Sequence, residues 1–185
     1  MVGKKNVVFG FLFLVLSAAL GPLMIVKYSP GVANAGADKQ AKVGRLQQLK
    51  IDNFEEDLEA LKPDQIAKAN TDGILALNLL INAEQPIDLI KTPHAHGNLE
   101  SLLNIAVGIT LGFIAVSTLF KQVISWIFIA GTLLHSGIMY IAVVFQKEWA
   151  AAILNTGIGP GLILLGLLLA GIAAAMGMRS ELVKD

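Results

Sequence analysis

The sequence predicts an all-α membrane protein: four transmembrane helices with a small extramembrane helical segment between helices 1 and 2. Three observations predict it. Hydrophobic residues make up 55% of the chain and charged residues 15%, against roughly 45–50% and 25% in soluble domains. Four apolar stretches, at about residues 7–26, 93–120, 123–145 and 150–178, are each long enough to cross a bilayer. Most acidic residues lie between Tyr28 and Thr92, segregated from those stretches. The formal net charge of +0 points to no nucleic-acid partner. With 0 cysteines there is no disulfide, thiolate metal site or cysteine nucleophile.

The elements follow in order. Residues 1–28 read as a transmembrane anchor, with Lys4 and Lys5 before the apolar run and Gly21-Pro22 as a kink. The small-residue stretch Ala33-Asn34-Ala35 has the look of a signal cleavage site, but the apolar run exceeds a signal core, so a retained signal anchor is expected. Residues 29–92 form the extramembrane segment. It opens with a linker to about Ala37, followed by an amphipathic helix over 38–62 with Ile51, Phe54, Leu58 and Leu61 on one stripe. Pro63 opens a second short helix, and Ile74 to Ile81 is an apolar run too short to cross a membrane.

Residues 93–178 are expected to form a three-helix transmembrane bundle. Thr92 suits an N-cap and Pro93 a first helical position, so the second span is expected to start there and run to Phe120. Lys121-Gln122 would be a tight turn into the third span, and Gln146 to Trp149 a second connection. Residues 179–185 are a polar tail. Lys4, Lys5, Lys121, Arg179 and Lys184 fall on one side, which places both termini in the cytoplasm, or in the matrix of an organelle. The expected location is therefore a bacterial or organelle inner membrane.

Candidate site residues come from the polar exceptions. His96, Glu100, Asn104, Gly108 and Gly112 recur every four residues and share one helix face. His94 and His96 sit at the outer end of the second span, where the plainer account is a pair of headgroup-level histidines. His96 and Glu100 could hold a divalent metal, although one imidazole and one carboxylate fall short of a tetrahedral set. Counting from Lys121-Gln122 at about 1.5 Å per residue puts His96 about 37 Å, His135 about 20 Å and Asn104 about 25 Å along their helices. On that count His135 misses His96 and meets Asn104 in a hydrogen bond. A haem b held by His96 and His135 is then not expected, and no cofactor is required. Glu100, Asn104, His135, Ser136, Asn155 and Thr156 could line one polar pocket. Gly108/Gly112 and Gly157/Gly161 have the small-x-x-x-small spacing of close helix packing.

Trp126 to Tyr140 (WIFIAGTLLHSGIMY), then Thr156 to Gly161 (TGIGPG) and Gly166, is similar to the YgdD-like family of small four-span membrane proteins without established activity. The resemblance covers about 102–175 and departs at His135, at His94/His96 and throughout 29–92. It implies a four-helix membrane bundle and supplies no catalytic residues. The His-Ala-His opening is also similar to haem-binding helices of oxidase-like membrane proteins.

No nucleotide-binding loop or catalytic triad is evident, so an enzyme acting alone is not expected. The function these features predict is a non-catalytic accessory subunit of a larger membrane complex, such as a respiratory or other redox assembly. Its partners would be other membrane subunits and the bilayer. A haem- or metal-binding membrane protein is the first alternative. A small transporter or channel component, resting on the helix break at Pro160, is the second.

Overall fold

A computed structural model describes residues 1–57 and 59–183. Leu58 of the expected apolar stripe and Lys184 of the charge count lie outside these residues. Among the described residues the regular structure is helical, apart from two two-residue strands. In order, the elements are α1 (Lys4–Ala18), α2 (Leu20–Ile51), β1 (Glu55–Glu56), β2 (Glu59–Ala60), α3 (Pro63–Thr110), a 3-10 turn (Leu111–Phe113), α4 (Thr118–Thr132), a π-helix (Leu133–Gly137), α5 (Ile138–Val143), α6 (Glu148–Leu154) and α7 (Ile158–Gly177). Three helical stretches are long and apolar enough to cross a membrane: Lys4–Ile51, Thr118–Val143 and Glu148–Gly177.

Two compact units divide the chain, Pro22–Leu89 and a second built from Met1–Gly21 with Ile90–Asp185. In the first, the helix expected over 38–62 stops at Ile51. Asn53, Phe54 and Asp57 take positive φ, and a tight antiparallel hairpin pairs Glu55 with Ala60 before Pro63 starts α3. The expected linker at 29–37 is helical, with Pro30 inside α2. Arg45 reaches Glu56 at 3.3 Å, and Lys42 reaches Asp38 at 3.1 Å.

In the second unit, the C-terminal part of α3, α4 and α7 pack around Val107, Leu111, Ile114, Ile124, Phe128 and Ile163. The helix expected to start at Pro93 starts at Pro63 instead, because a helix can absorb proline at the cost of one hydrogen bond and a kink. Pro86 and Pro93 therefore both lie inside α3. The expected reversal at Lys121-Gln122 is also displaced. The chain leaves helix at Thr110, Ile114 is extended, and the Ser117 hydroxyl accepts a bond from the Phe120 amide to cap α4. Lys121 thus lies within α4, buried. The loop is held by the far end of the chain: Ala115 N donates to the Gly177 carbonyl (2.7 Å) and Arg179 N to the Phe113 carbonyl (2.8 Å).

Glycines set the helix approaches, though not always the expected ones. A Cβ on Gly108 would lie 2.6 Å from the Gly3 carbonyl oxygen and 3.0 Å from the Val7 amide nitrogen, so α1 and α3 touch backbone to backbone. Gly112 meets only the ends of the Leu182 and Met1 side chains. Gly157 is a left-handed residue before α7 and, like Gly161, faces open space. The close approaches on α7 belong to Gly159, Gly166 and Gly177. Gly108→Val is expected to cost about 1–3 kcal/mol, since neither backbone can yield to the added atoms. Gly161→Ala should be neutral or slightly stabilising. Thermal unfolding of the purified protein, followed by far-UV circular dichroism, separates the two.

Candidate functional site

The polar residues of the bundle form two connected layers. The lower layer centres on Asn104, fully buried. Its Nδ2 donates to Thr132 Oγ1 (2.9 Å) and to the Glu100 carbonyl one turn back (3.0 Å), while its Oδ1 accepts from Asn6 Nδ2 (3.1 Å). Asn6 also donates to the Ser125 carbonyl (3.0 Å), and the Ser125 hydroxyl donates to Asn6 Oδ1. One carboxamide from each of α1 and α3 thereby joins three helices. Unpaired, such groups would each lose their hydration without return.

One turn further along α3, Glu100 meets His135. The Glu100 Oε1 to His135 Nδ1 distance is 2.5 Å, and Glu100 is only 3% exposed. His96, the most open of the three, lays its ring against that of His135 edge-to-face, with centroids 4.9 Å apart. His96, Glu100 and His135 each offer a ligand atom, and these atoms lie within 4.8 Å of one another. Among the described residues, Glu100 Oε2 and the Ser136 hydroxyl are buried with no hydrogen-bond partner.

The local fold explains the meeting. His135 lies in the π-helix Leu133–Gly137, whose wider turn rotates its side chain relative to an α-helical register. Single π turns of this kind recur at functional sites. Gly159 of α7 packs on this segment, a Cβ there falling 2.6 Å from the His135 amide nitrogen. A side chain at 159 would thus push into the backbone that carries His135.

Several expectations are corrected by this geometry. His135 pairs with Glu100, and Asn104 pairs with Thr132 instead of with His135. The expected count failed because the reversal is misplaced. The pairs Asn104–Thr132 and Glu100–His135 differ from the expected register by about seven residues, or about 10 Å of helix. That shift and the reach of the two rings bring His96 to His135. His94 turns elsewhere, with Nδ1 at 2.8 Å from the Ser17 carbonyl and Nε2 at 3.4 Å from Asn98 Nδ2. Ser17 Oγ in turn donates to Asn98 Oδ1 at 2.6 Å. Asn155 and Thr156 are exposed near the end of α6, and Thr156 Oγ1 donates to the Ile153 carbonyl. Neither residue joins the cluster; Ser136 is buried beside it in sequence.

Asn6, Ser125 and Thr132 are the polar partners that sequence reasoning missed. Asn6 is an amide just inside an apolar helix, the same kind of signal that drew attention to Asn104. No family model, curated protein or solved structure matches this chain.

Asn104→Leu keeps the branching of the side chain but takes the acceptor from one Asn6 N–H, leaving a buried donor unpaired. It should lower unfolding stability by about 2 kcal/mol or more. Asn155→Ala, at an exposed site, should change it by less than about 0.5 kcal/mol. Denaturant unfolding of both variants in one detergent checks the difference.

Proposed function

We propose that this chain is an integral membrane protein that binds one divalent transition-metal ion through His96, Glu100 and His135. The observation that carries the reading is the convergence of two imidazoles and a buried carboxylate from α3 and the π-helix. Two histidines and one glutamate are a recurrent donor set for zinc and for other first-row ions suited to imidazole and carboxylate. Bond lengths of about 2.1 Å require the ligand atoms to close by an ångström or so, which side-chain rotation supplies. Glu100 Oε2, which has no hydrogen-bond partner among the described residues, can coordinate as well. Haem is disfavoured, since the edge-to-face contact of the His96 and His135 rings leaves no slot for a porphyrin between them.

Membrane placement is part of the same proposal. The three apolar helical stretches supply three spans. The C-terminal part of α3 supplies the fourth, its polar face turned to α1 and α4 and Leu99, Leu102 and Ile109 exposed on the other. Both termini then share the side carrying Lys4, Lys5 and Arg179. An ionisable cluster at such depth is costly and marks a functional position.

Cobalt(II) titration of the purified, chelator-stripped protein tests the ion site. One equivalent should bind with a visible absorption band. Glu100→Gln, His96→Ala and His135→Ala should each weaken binding at least tenfold. At an ion concentration one hundred times Kd, wild type should gain about 2.7 kcal/mol of stability. Equal binding by wild type and His135→Ala would overturn the assignment.

A second reading, accessory subunit of a membrane complex, is favoured by a separate observation. In the Pro22–Leu89 unit, Ile74, Leu75, Leu77, Leu79 and Ile81 are all exposed. Apolar rows of this kind are usual at protein contacts. Extraction in mild detergent, a native gel and mass spectrometry of the band should then reveal a second polypeptide, and its absence counts against the subunit reading.

A further inference from the structure

At the end of the bundle where α1 begins, a groove of about 600 Å³ opens on the surface. Its polar end is formed by Lys4, Lys5 and Gln122, and its apolar wall by Val8, Phe9 and Leu12. From Lys4 to Leu12 the wall descends about 12 Å along α1. Gln122 Oε1 accepts from Lys5 Nζ, and the same ammonium lies 4.3 Å from the centre of the exposed Trp126 ring. Lys5 is therefore held in place, not merely tethered. Among the described residues no carboxylate lines the groove, Glu181 included. Two ammonium groups, with no counter-charge among the described lining residues, above an apolar channel, complement a molecule with an anionic head and a hydrocarbon tail.

We propose that this groove seats one anionic phospholipid, its phosphate against Lys4 and Lys5 and an acyl chain along Val8, Phe9 and Leu12. The proposal rests on the membrane placement above but not on the ion site. Near an anionic leaflet each lysine adds to the attraction, so the preference over a zwitterionic lipid should be about tenfold. The Trp126 ring fits the headgroup level that such a lipid would define.

Native mass spectrometry of the full chain, released from neutral detergent, tests the assignment with phosphatidylglycerol, phosphatidylcholine and inorganic phosphate as separate probes. Phosphatidylglycerol should be retained about tenfold over phosphatidylcholine, and excess phosphate should not displace it. Lys4→Gln/Lys5→Gln should reduce retention to the phosphatidylcholine level. Equal retention of the two lipids by wild type would overturn the proposal, as would displacement by phosphate, which signals a free-anion site. Should the double variant fail to fold, wild type decides alone: raising salt to about 0.5 M should erode the preference, and a salt-independent preference would overturn it. Failure of the membrane placement is a different result, a chain that stays soluble without detergent.

Discussion

Asn104 is the residue on which the bundle turns. Its carboxamide binds Thr132 on α4 and Asn6 on α1, and it returns a bond to the Glu100 carbonyl on its own helix. Apolar surfaces slide with little penalty, because one leucine contact resembles the next. A buried amide does not, since any slip leaves donors and acceptors unpaired. Those contacts fix the rise of α3 against α4, and that register brings Glu100 level with His135 one turn away.

The site therefore depends on packing at some distance from its donors. Gly159 lets α7 lie on the π-helix backbone at His135, and Gly108 lets α1 lie on α3 near the Asn6–Asn104 bond. Small residues serve two purposes here: they allow close helix approach, and they preserve the one irregular turn that aims an imidazole at a carboxylate. The groove at the start of α1 draws on a third device, a lysine fixed by Gln122 and Trp126.

The Pro22–Leu89 unit follows different physics. It contains two local ion pairs, Lys42 with Asp38 and Arg45 with Glu56, which at such exposure contribute little to stability. Its turn between helices uses three non-glycine residues at positive φ, and Ile74, Leu75, Leu77, Leu79 and Ile81 are exposed. In the bundle, by contrast, the polar side chains are mostly enclosed and mutually bonded.

The sequence by itself determined the helical class, the apolar character of the main helices and the polar face His96-Glu100-Asn104. Composition and a four-residue spacing are local properties, readable without knowing any neighbour. It also drew attention to His96, Glu100 and His135, but could not bring them together. Their meeting depends on where the chain reverses, and the Ser117 cap that sets the reversal lies inside an otherwise apolar run. Helix ends are weakly encoded, so an error of a few residues at the loop doubles between antiparallel partners and moves side chains by a helical turn or more. Pro93, read as a helix start, became an interior residue because a helix already running from Pro63 could carry it. Which glycine touched a neighbour, and which histidine found the carboxylate, were decided by tertiary structure alone, since both depend on atoms distant in the chain.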